Sequence, residues 1–387
     1  MMTLSLKPGW KMVKFGDVVK NANLVERDPE AAGIERIVGL EHLDPENLHI
    51  RRWNTPENGT SFTRKFVPGQ TLFGKRRAYQ RKVAFAEFEG ICSGDILTFE
   101  PKDKKVLLPE LLPFICQSDA FFDHALGTSA GSLSPRTSWK ALKNFEFPLP
   151  PIKEQKRIAE ILWAADEAVD KFDGAIKNLR DAKNSYLGSL ISHNAARKWE
   201  ITQLVSCFEI VSGQVDPKEE PYRSMPLVAP NHIEQNTGRL IEIETAEEQN
   251  AISGKYLFQP GDVVYSKIRP NLRKAFISDF EGLCSADMYA LRPLPDRIMA
   301  RFLLAILLSN HFTSFALTRC VRTGIPKLNR QELSEYRFPL PSIEEQRHIC
   351  SHLEALDIEE QNLIKHKAMI EEVKRQISRA YLEVAHV

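Results

Sequence analysis

Two clusters of cationic and amide side chains are the residues of this chain best suited to chemistry, and that chemistry is anion recognition. The first reads Lys75-Arg76-Arg77-Ala78-Tyr79-Gln80-Arg81-Lys82, and the second Lys267-Ile268-Arg269-Pro270-Asn271-Leu272-Arg273-Lys274. They align without a gap, and charge is kept at Lys75/Lys267, Arg77/Arg269, Arg81/Arg273 and Lys82/Lys274. On duplex DNA, Arg and Lys hold phosphate, a bidentate Arg reads guanine, and Asn or Gln reads adenine. Gln80 and Asn271 are therefore candidate readers alongside Tyr79. Two downstream polar loops, Gly127 to Arg136 and Arg322 to Arg330, add Arg136, Lys327, Asn329 and Arg330. A charge run is by default a solvated face. Recurrence at one repeat position favours binding.

The net charge of +1 means that any such binding comes from local patches. Residues 51–82 form one, where Arg51, Arg52, Arg64 and Lys65 join the first cluster against a single acid, Glu57.

Catalytic patterns are missing. There is no Gly-x-Gly-x-x-Gly, Walker A loop or His-Glu-x-x-His segment, no Asn/Asp-Pro-Pro-Tyr/Phe segment, and no nuclease core around Pro295-Asp296. His42 and His232 fall near matched positions and read as satisfied or surface histidines. Six cysteines include no Cys-x-x-Cys pair, so Cys92 and Cys284 read as buried reduced thiols. The expectation is a non-enzyme with no metal and no cofactor of its own. The start, Met1 to Trp10, lacks a signal-peptide apolar segment, and no run approaches a membrane span; a cytoplasmic chain follows, in which the Asn58-Gly-Thr60 sequon has no meaning.

The elements that position these clusters come from a tandem duplication. Phe147-Pro-Leu-Pro-Pro-Ile-Lys-Glu-Gln-Lys-Arg-Ile158 recurs about 191 residues later as Phe338-Pro-Leu-Pro-Ser-Ile-Glu-Glu-Gln-Arg-His-Ile349. Phe88-Glu-Gly-Ile-Cys-Ser-Gly-Asp95 recurs as Phe280-Glu-Gly-Leu-Cys-Ser-Ala-Asp287. So long a period implies complete domains rather than a solenoid. Each copy opens on tryptophan (Trp10, Trp199), passes through short strands with Gly, Asn and Pro punctuation, and turns at Pro68-Gly69 or Pro260-Gly261. A helical segment follows, Leu107 to Leu126 or Ile298 to Leu317. The fold class is α+β: two tandem globular domains over 1–149 and 196–340, each followed by a long helix over 150–195 and 341–387.

Beyond each Pro-Leu-Pro, apolar residues alternate at spacings of four and three, the seam of a coiled coil. The first seam is Ile158, Leu162, Ala165, Val169, Phe172, Ile176 and Leu179; the second is Ile349, Leu353, Leu356, Leu363, Ile370 and Ile377, interrupted by Glu360, Lys367 and Lys374. Antiparallel pairing of the two helices is the natural geometry. A helix of about 40 residues spans roughly 60 Å, comparable to one or two turns of B-DNA at about 34 Å each.

This pattern resembles the specificity subunit of Type I restriction-modification systems. The duplicated Pro-Leu-Pro-x-Ile-x-Glu-Gln-x-x-Ile segments (148–158, 339–349) carry the resemblance, with Pro-Gly-Gln/Asp (68–70, 260–262) and Gly-x-Cys-Ser-x-Asp (90–95, 282–287). It spans essentially the whole chain. The resemblance implies two recognition domains, each reading half of a bipartite double-stranded DNA target, and an antiparallel coiled coil that sets the gap. It also implies docking of two methylation subunits, which bind S-adenosylmethionine and methylate adenine, and restriction subunits in the full complex. Base-contact residues do not transfer by motif, because recognition domains vary within such families. Two rivals stay open: a reader for another phage-defence methyltransferase, and a coiled-coil scaffold that does not bind DNA.

Overall fold

The computed structural model describes residues 6–56, 59–131, 133–192, 199–320 and 325–382. Glu57, Asn58, Ser132 and the stretch Arg322 to Gly324 lie outside the described residues. The chain divides into two units, Met1–Asp173 with Ile364–Val387, and Gly174–Leu363. Each unit therefore takes part of both long helices.

In the first unit, one four-stranded antiparallel sheet runs in the order Val19–Asn21, Ile96–Pro101, Thr71–Gly74, Val83–Phe85. A second runs Leu24–Val25, Arg64–Phe66, Gly90–Cys92, Ile37–Val38, its last pair parallel. The second unit repeats both orders with Phe208–Ile210, Met288–Pro293, Val263–Ser266, Ala275–Ile277, and with Gln214–Val215, Lys255–Phe258, Gly282–Cys284, Pro226–Val228. Glu244–Thr245 adds one further edge strand there. The α+β class and the duplication thus hold at the level of strand order.

The Pro-Leu-Pro exit is a strand before it is a helix start. Glu146–Leu149 pairs antiparallel with Lys11–Lys14, placing Met12 opposite Pro148; Arg337–Leu340 pairs with Glu200–Gln203, placing Ile201 opposite Pro339. A two-stranded pair tolerates proline because one side of each strand has no ladder to serve. Each repeat is closed by its own first strand.

The Pro-Gly turns form as the sequence requires, with Gly69 at φ +86° and Gly261 at φ +90°, conformations glycine adopts without steric cost. The single helical segments expected over Leu107–Leu126 and Ile298–Leu317 are each two helices instead. They are Leu112–Gln117 with Asp119–Gly127, and Ala300–Leu308 with Asn310–Arg319. Ser118 and Ser309 make the breaks: extended at ψ 149° and 154°, each hydroxyl accepts a backbone N–H from Phe121 or Phe312. Serine at this position ends one helix and caps the next.

Phe15, Phe73, Phe99, Phe121 and Phe147 fill the first core with Ile158 and Leu162 of the central helix. Leu303, Phe312, Tyr336 and Phe338 fill the second with Ile349 and Leu353 of the last helix. Each such side chain contributes about 1.5–3 kcal/mol by leaving water. The helices are thereby welded to the globular domains near their N-terminal ends.

The long helices run Ile152–Ile191 and Ile343–Leu382 and pair antiparallel in both units. In the first, Lys374 donates to Asp166, and Lys367 to Asp173 at 2.6 Å. In the second, Arg180 donates to Glu360 at 2.7 Å, and Lys183 to Asp357. Rising numbers on one helix meet falling numbers on the other. Ile158, Leu162, Ile176, Ile349 and Leu353 are buried, while Ala165, Val169, Phe172, Leu179, Leu356, Leu363, Ile370 and Ile377 are half-buried. Glu360, Lys367 and Lys374, which interrupt the apolar rhythm, are the positions that meet opposite charge across the seam. No single described helix is long and apolar enough to cross a membrane.

Candidate nucleic-acid interface

Each basic cluster leaves the end of a central strand and folds into the same compact turn. Thr71–Gly74 delivers Lys75; Arg77 (φ 53°, ψ 54°) and Arg81 (φ 51°, ψ 42°) then bracket a 3-10 turn over Ala78–Gln80. Val263–Ser266 delivers Lys267, and Arg269 (φ 48°, ψ 61°) and Arg273 (φ 47°, ψ 55°) bracket Pro270–Leu272. Left-handed backbone is uncommon for a side chain with a Cβ. Four arginines in that conformation, at two pairs of repeat positions, mark a built loop.

The polar loops downstream join these turns. Arg77 N donates to Pro135 O at 2.7 Å and Thr137 N to Lys75 O at 3.0 Å; Arg269 N donates to Pro326 O and Leu328 N to Lys267 O, both at 2.8 Å. Arg76 faces Arg136 and Ile268 faces Lys327 across isolated bridges. The structure therefore brings together the two candidate segments that the sequence placed far apart in each repeat.

Within each turn the arginines divide their tasks. Arg81 pairs with Glu46 at 3.0 Å and Asp119 at 2.9 Å, donates to Gln117 O at 2.8 Å, and lies over Phe122. Arg273 reaches Leu308 O at 3.5 Å and is half-buried. Lys82 Nζ donates to Leu40 O, and Lys274 Nζ to Pro230 O, each at 2.7 Å. These four residues brace the loop from within. Arg77, Tyr79, Arg269 and Asn271 are exposed instead, and neither Arg77 nor Arg269 has a side-chain hydrogen bond or ion pair among the described residues.

The remaining candidates also separate by environment. Arg136 donates to Asp95 at 3.1 Å, and Arg76 to Ser134 at 3.0 Å, with Asp95 3.7 Å away. Asn329 caps the helix Arg330–Ser334 by accepting from Glu332 N at 2.8 Å, which gives its side chain an internal partner. Lys327 and Arg330 are exposed, and Gln80 is half-buried. Burial, then Arg64, lowers the Lys75 pKa; burial, then Lys327, lowers that of Lys267. A lysine disfavoured by burial and by neighbouring cations marks a positive surface that an anion relieves.

The matched histidines are structural. His42 Nδ1 accepts from Gly39 N at 2.9 Å and His232 Nδ1 from Ala229 N at 3.2 Å. Cys92 and Cys284 are buried free thiols, each pushed up to about 12 by desolvation. Among the described residues no group of His, Cys, Asp and Glu is placed to hold a metal ion.

Two residues outside the sequence-based candidates position the site on its support. Buried Gln155 accepts from Leu108 N at 3.0 Å and donates to Val106 O at 2.8 Å and Pro150 O at 2.9 Å. Gln346 accepts from Met299 N at 2.9 Å and donates to Arg297 O at 2.9 Å and Pro341 O at 3.0 Å. The recurring Glu-Gln dipeptide was the signal: its glutamine clamps the first helical turn to the recognition domain in both copies.

Two recognition-type domains, each with a basic loop on a β scaffold and each fused to a helix of an antiparallel pair, define a duplicated specificity module. The profile of the Type I restriction modification DNA specificity domain matches residues 8–178 and again 196–375, and the chain belongs to that family. The specificity subunit of the Type I restriction enzyme EcoDI from Escherichia coli is 35% identical over 195 residues, half of this chain and 42% of that protein. Over that alignment the chain thus spans less than half the relative's length. The MjaVIII specificity subunit of Methanocaldococcus jannaschii is 23% identical over 426 residues, covering 97% of this chain and 93% of that one. A solved chain from work on complex assembly and conformational transition of the type I R-M system shares the fold at TM-score 0.60, with 21% identity and 97% of both chains covered. The Type I S subunit from M. genitalium does so at 0.58, with 15% identity over 98% of this chain and 97% of that one.

Proposed function

We propose that this chain is the DNA sequence-recognition subunit of a Type I restriction-modification complex and catalyses no reaction itself. Each unit reads one half of a bipartite duplex target, and the paired helices set the gap and dock two methylation subunits. S-adenosylmethionine belongs to those subunits, restriction subunits complete the nuclease, and the assembly works in the cytoplasm. The observation that carries the reading is the doubled turn, with Arg77 and Arg269 exposed and without a side-chain partner among the described residues, while Arg81 and Arg273 hold the loop from below. An exposed guanidinium on a braced loop suits bidentate base contact, worth about 1–3 kcal/mol of discrimination.

The test is to map methylated adenines by long-read sequencing in cells that express the chain with its methylation subunit. A gapped two-part motif should vanish without the chain. Arg77→Ala should relax one half of that motif only, and Arg269→Ala only the other. A motif that persists without the chain would sink the reading in favour of a scaffold.

A further inference from the structure

Duplication sets the two long helices a pairing problem. Ile158, Leu162, Asp166 and Lys183 of the central helix correspond to Ile349, Leu353, Asp357 and Lys374 of the last one. Helices this alike can pair with each other in one chain, or each with its own kind in a second copy. Apolar seams discriminate poorly between such alternatives, and charged positions supply the choice.

The four ion pairs fall into two sets. Lys374–Asp166 in the first unit and Lys183–Asp357 in the second use residues that both helices carry at equivalent positions. In the same antiparallel register, two central helices from separate copies would still join Asp166 to Lys183 twice. Two last helices would likewise join Asp357 to Lys374. These pairs hold any antiparallel arrangement and choose none.

The other two pairs have no such symmetry. Lys367 meets Asp173 at 2.6 Å in the first unit, and Arg180 meets Glu360 at 2.7 Å in the second. The repeat equivalents of Asp173 and Lys367 are Ile364 and Ile176; those of Arg180 and Glu360 are Glu371 and Val169. Two central helices in that register would set Asp173 against Ile176 and Arg180 against Val169. Two last helices would set Lys367 against Ile364 and Glu360 against Glu371. All four charges lose their partners on the opposite helix in either like-with-like pairing, and Lys367 keeps only Glu371 of its own helix, at 3.6 Å. Glu360, only 8% exposed, bears the largest desolvation cost when its cation is removed.

We infer that Asp173, Arg180, Glu360 and Lys367 are the residues that select pairing between the unlike helices of one chain over pairing of like helices with a second copy of this chain. The outer Asp–Lys pairs stabilise the coiled coil, and the inner pairs specify its partner.

The experiment compares three full-length chains by light-scattering mass and thermal unfolding across a concentration series. Asp173→Lys with Arg180→Glu puts like charges against Lys367 and Glu360. This variant should lose several degrees in Tm or shift toward a dimer as concentration rises. Adding Lys367→Asp and Glu360→Arg restores both pairs with reversed polarity, and should return mass and Tm to those of the parent. An unchanged mass and Tm in the double variant would overturn the inference. So would a quadruple variant that fails to recover, since the damage would then lie outside these pairs.

Discussion

His49 Nε2 lies 3.2 Å from Asp166 Oδ2, so a loop of the first recognition domain is fastened to the central helix through a titratable ion pair. His49 Nδ1 lies 3.0 Å from Glu87 on its other side, and Lys374 also donates to Asp166. In the second unit the corresponding carboxylate, Asp357, receives Arg301 and Lys183. One unit thus uses a cation that titrates near neutrality where the other uses one that stays charged.

That difference gives the first unit a pH-dependent stability. Asp166 and Glu87 raise the His49 pKa against the opposing effect of burial. A raised folded-state pKa contributes stability that is fully present below the unfolded value of 6.5 and is lost as pH rises through the folded value. Asp166 stays ionised throughout that window, because His49 and Lys374 outweigh its own burial and hold its carboxyl below the usual range. His49→Gln should therefore lower Tm clearly at about pH 5.5 and much less at about pH 9. A Tm difference that is the same at both pH values would contradict this.

Gln155 and Gln346 should each be costly to replace. Gln155→Ala removes three hydrogen bonds to the backbone at the junction of domain and helix, the one to Pro150 O buried and the other two partly so. A loss of about 3 kcal/mol in chemical denaturation is expected, with the same order for Gln346→Ala. A loss below about 0.5 kcal/mol, the range of an ordinary surface substitution, would show that the clamp is dispensable.

The two arginines of each turn should separate in assays of stability and specificity. Arg81→Ala removes contacts to Glu46, Asp119, Gln117 and Phe122, so Tm should fall by an amount equivalent to about 1–3 kcal/mol. Arg77→Ala should leave Tm within experimental error and change one half-site of the methylation motif. The reverse pattern would exchange the roles assigned to the two residues.

Cys92 and Cys284 should resist alkylation in the folded chain at about pH 8, because their thiols are pushed up to about 12 and are wholly buried. Both should react once the protein is unfolded in denaturant. Rapid labelling of either in native conditions, read by mass spectrometry of peptides, would mean that these strands open.

Much of the architecture was legible in the chain because duplication writes it twice. Repeated Pro-Gly turns, Cys-Ser-x-Asp segments and Pro-Leu-Pro exits marked equivalent structural positions, and the heptad rhythm after each exit marked both long helices. The breaks at Ser118 and Ser309 were not read, since a serine inside an apolar stretch fits a helix as well as a cap until its ψ is known. The exit strands were missed for a related reason. Proline argues against a strand unless the chain supplies a partner from far away, here Lys11–Lys14 and Glu200–Gln203.

The candidate interface divides along the same line. Residue type and repeat position alone singled out Lys75 to Lys82 and Lys267 to Lys274, because charge kept in both copies is a one-dimensional signal. Which of those charges face inward was decided only in three dimensions, where Arg81 found Glu46 and Asp119, and Lys82 found the Leu40 carbonyl. The seam shows the contrast most plainly. Read along one helix, Glu360, Lys367 and Lys374 are defects in an apolar repeat; set against the other helix, they meet Arg180, Asp173 and Asp166. Periodicity is a property of one segment and is visible in its sequence. Charge complementarity belongs to a pair of segments in a given register, and only the tertiary structure supplies that register.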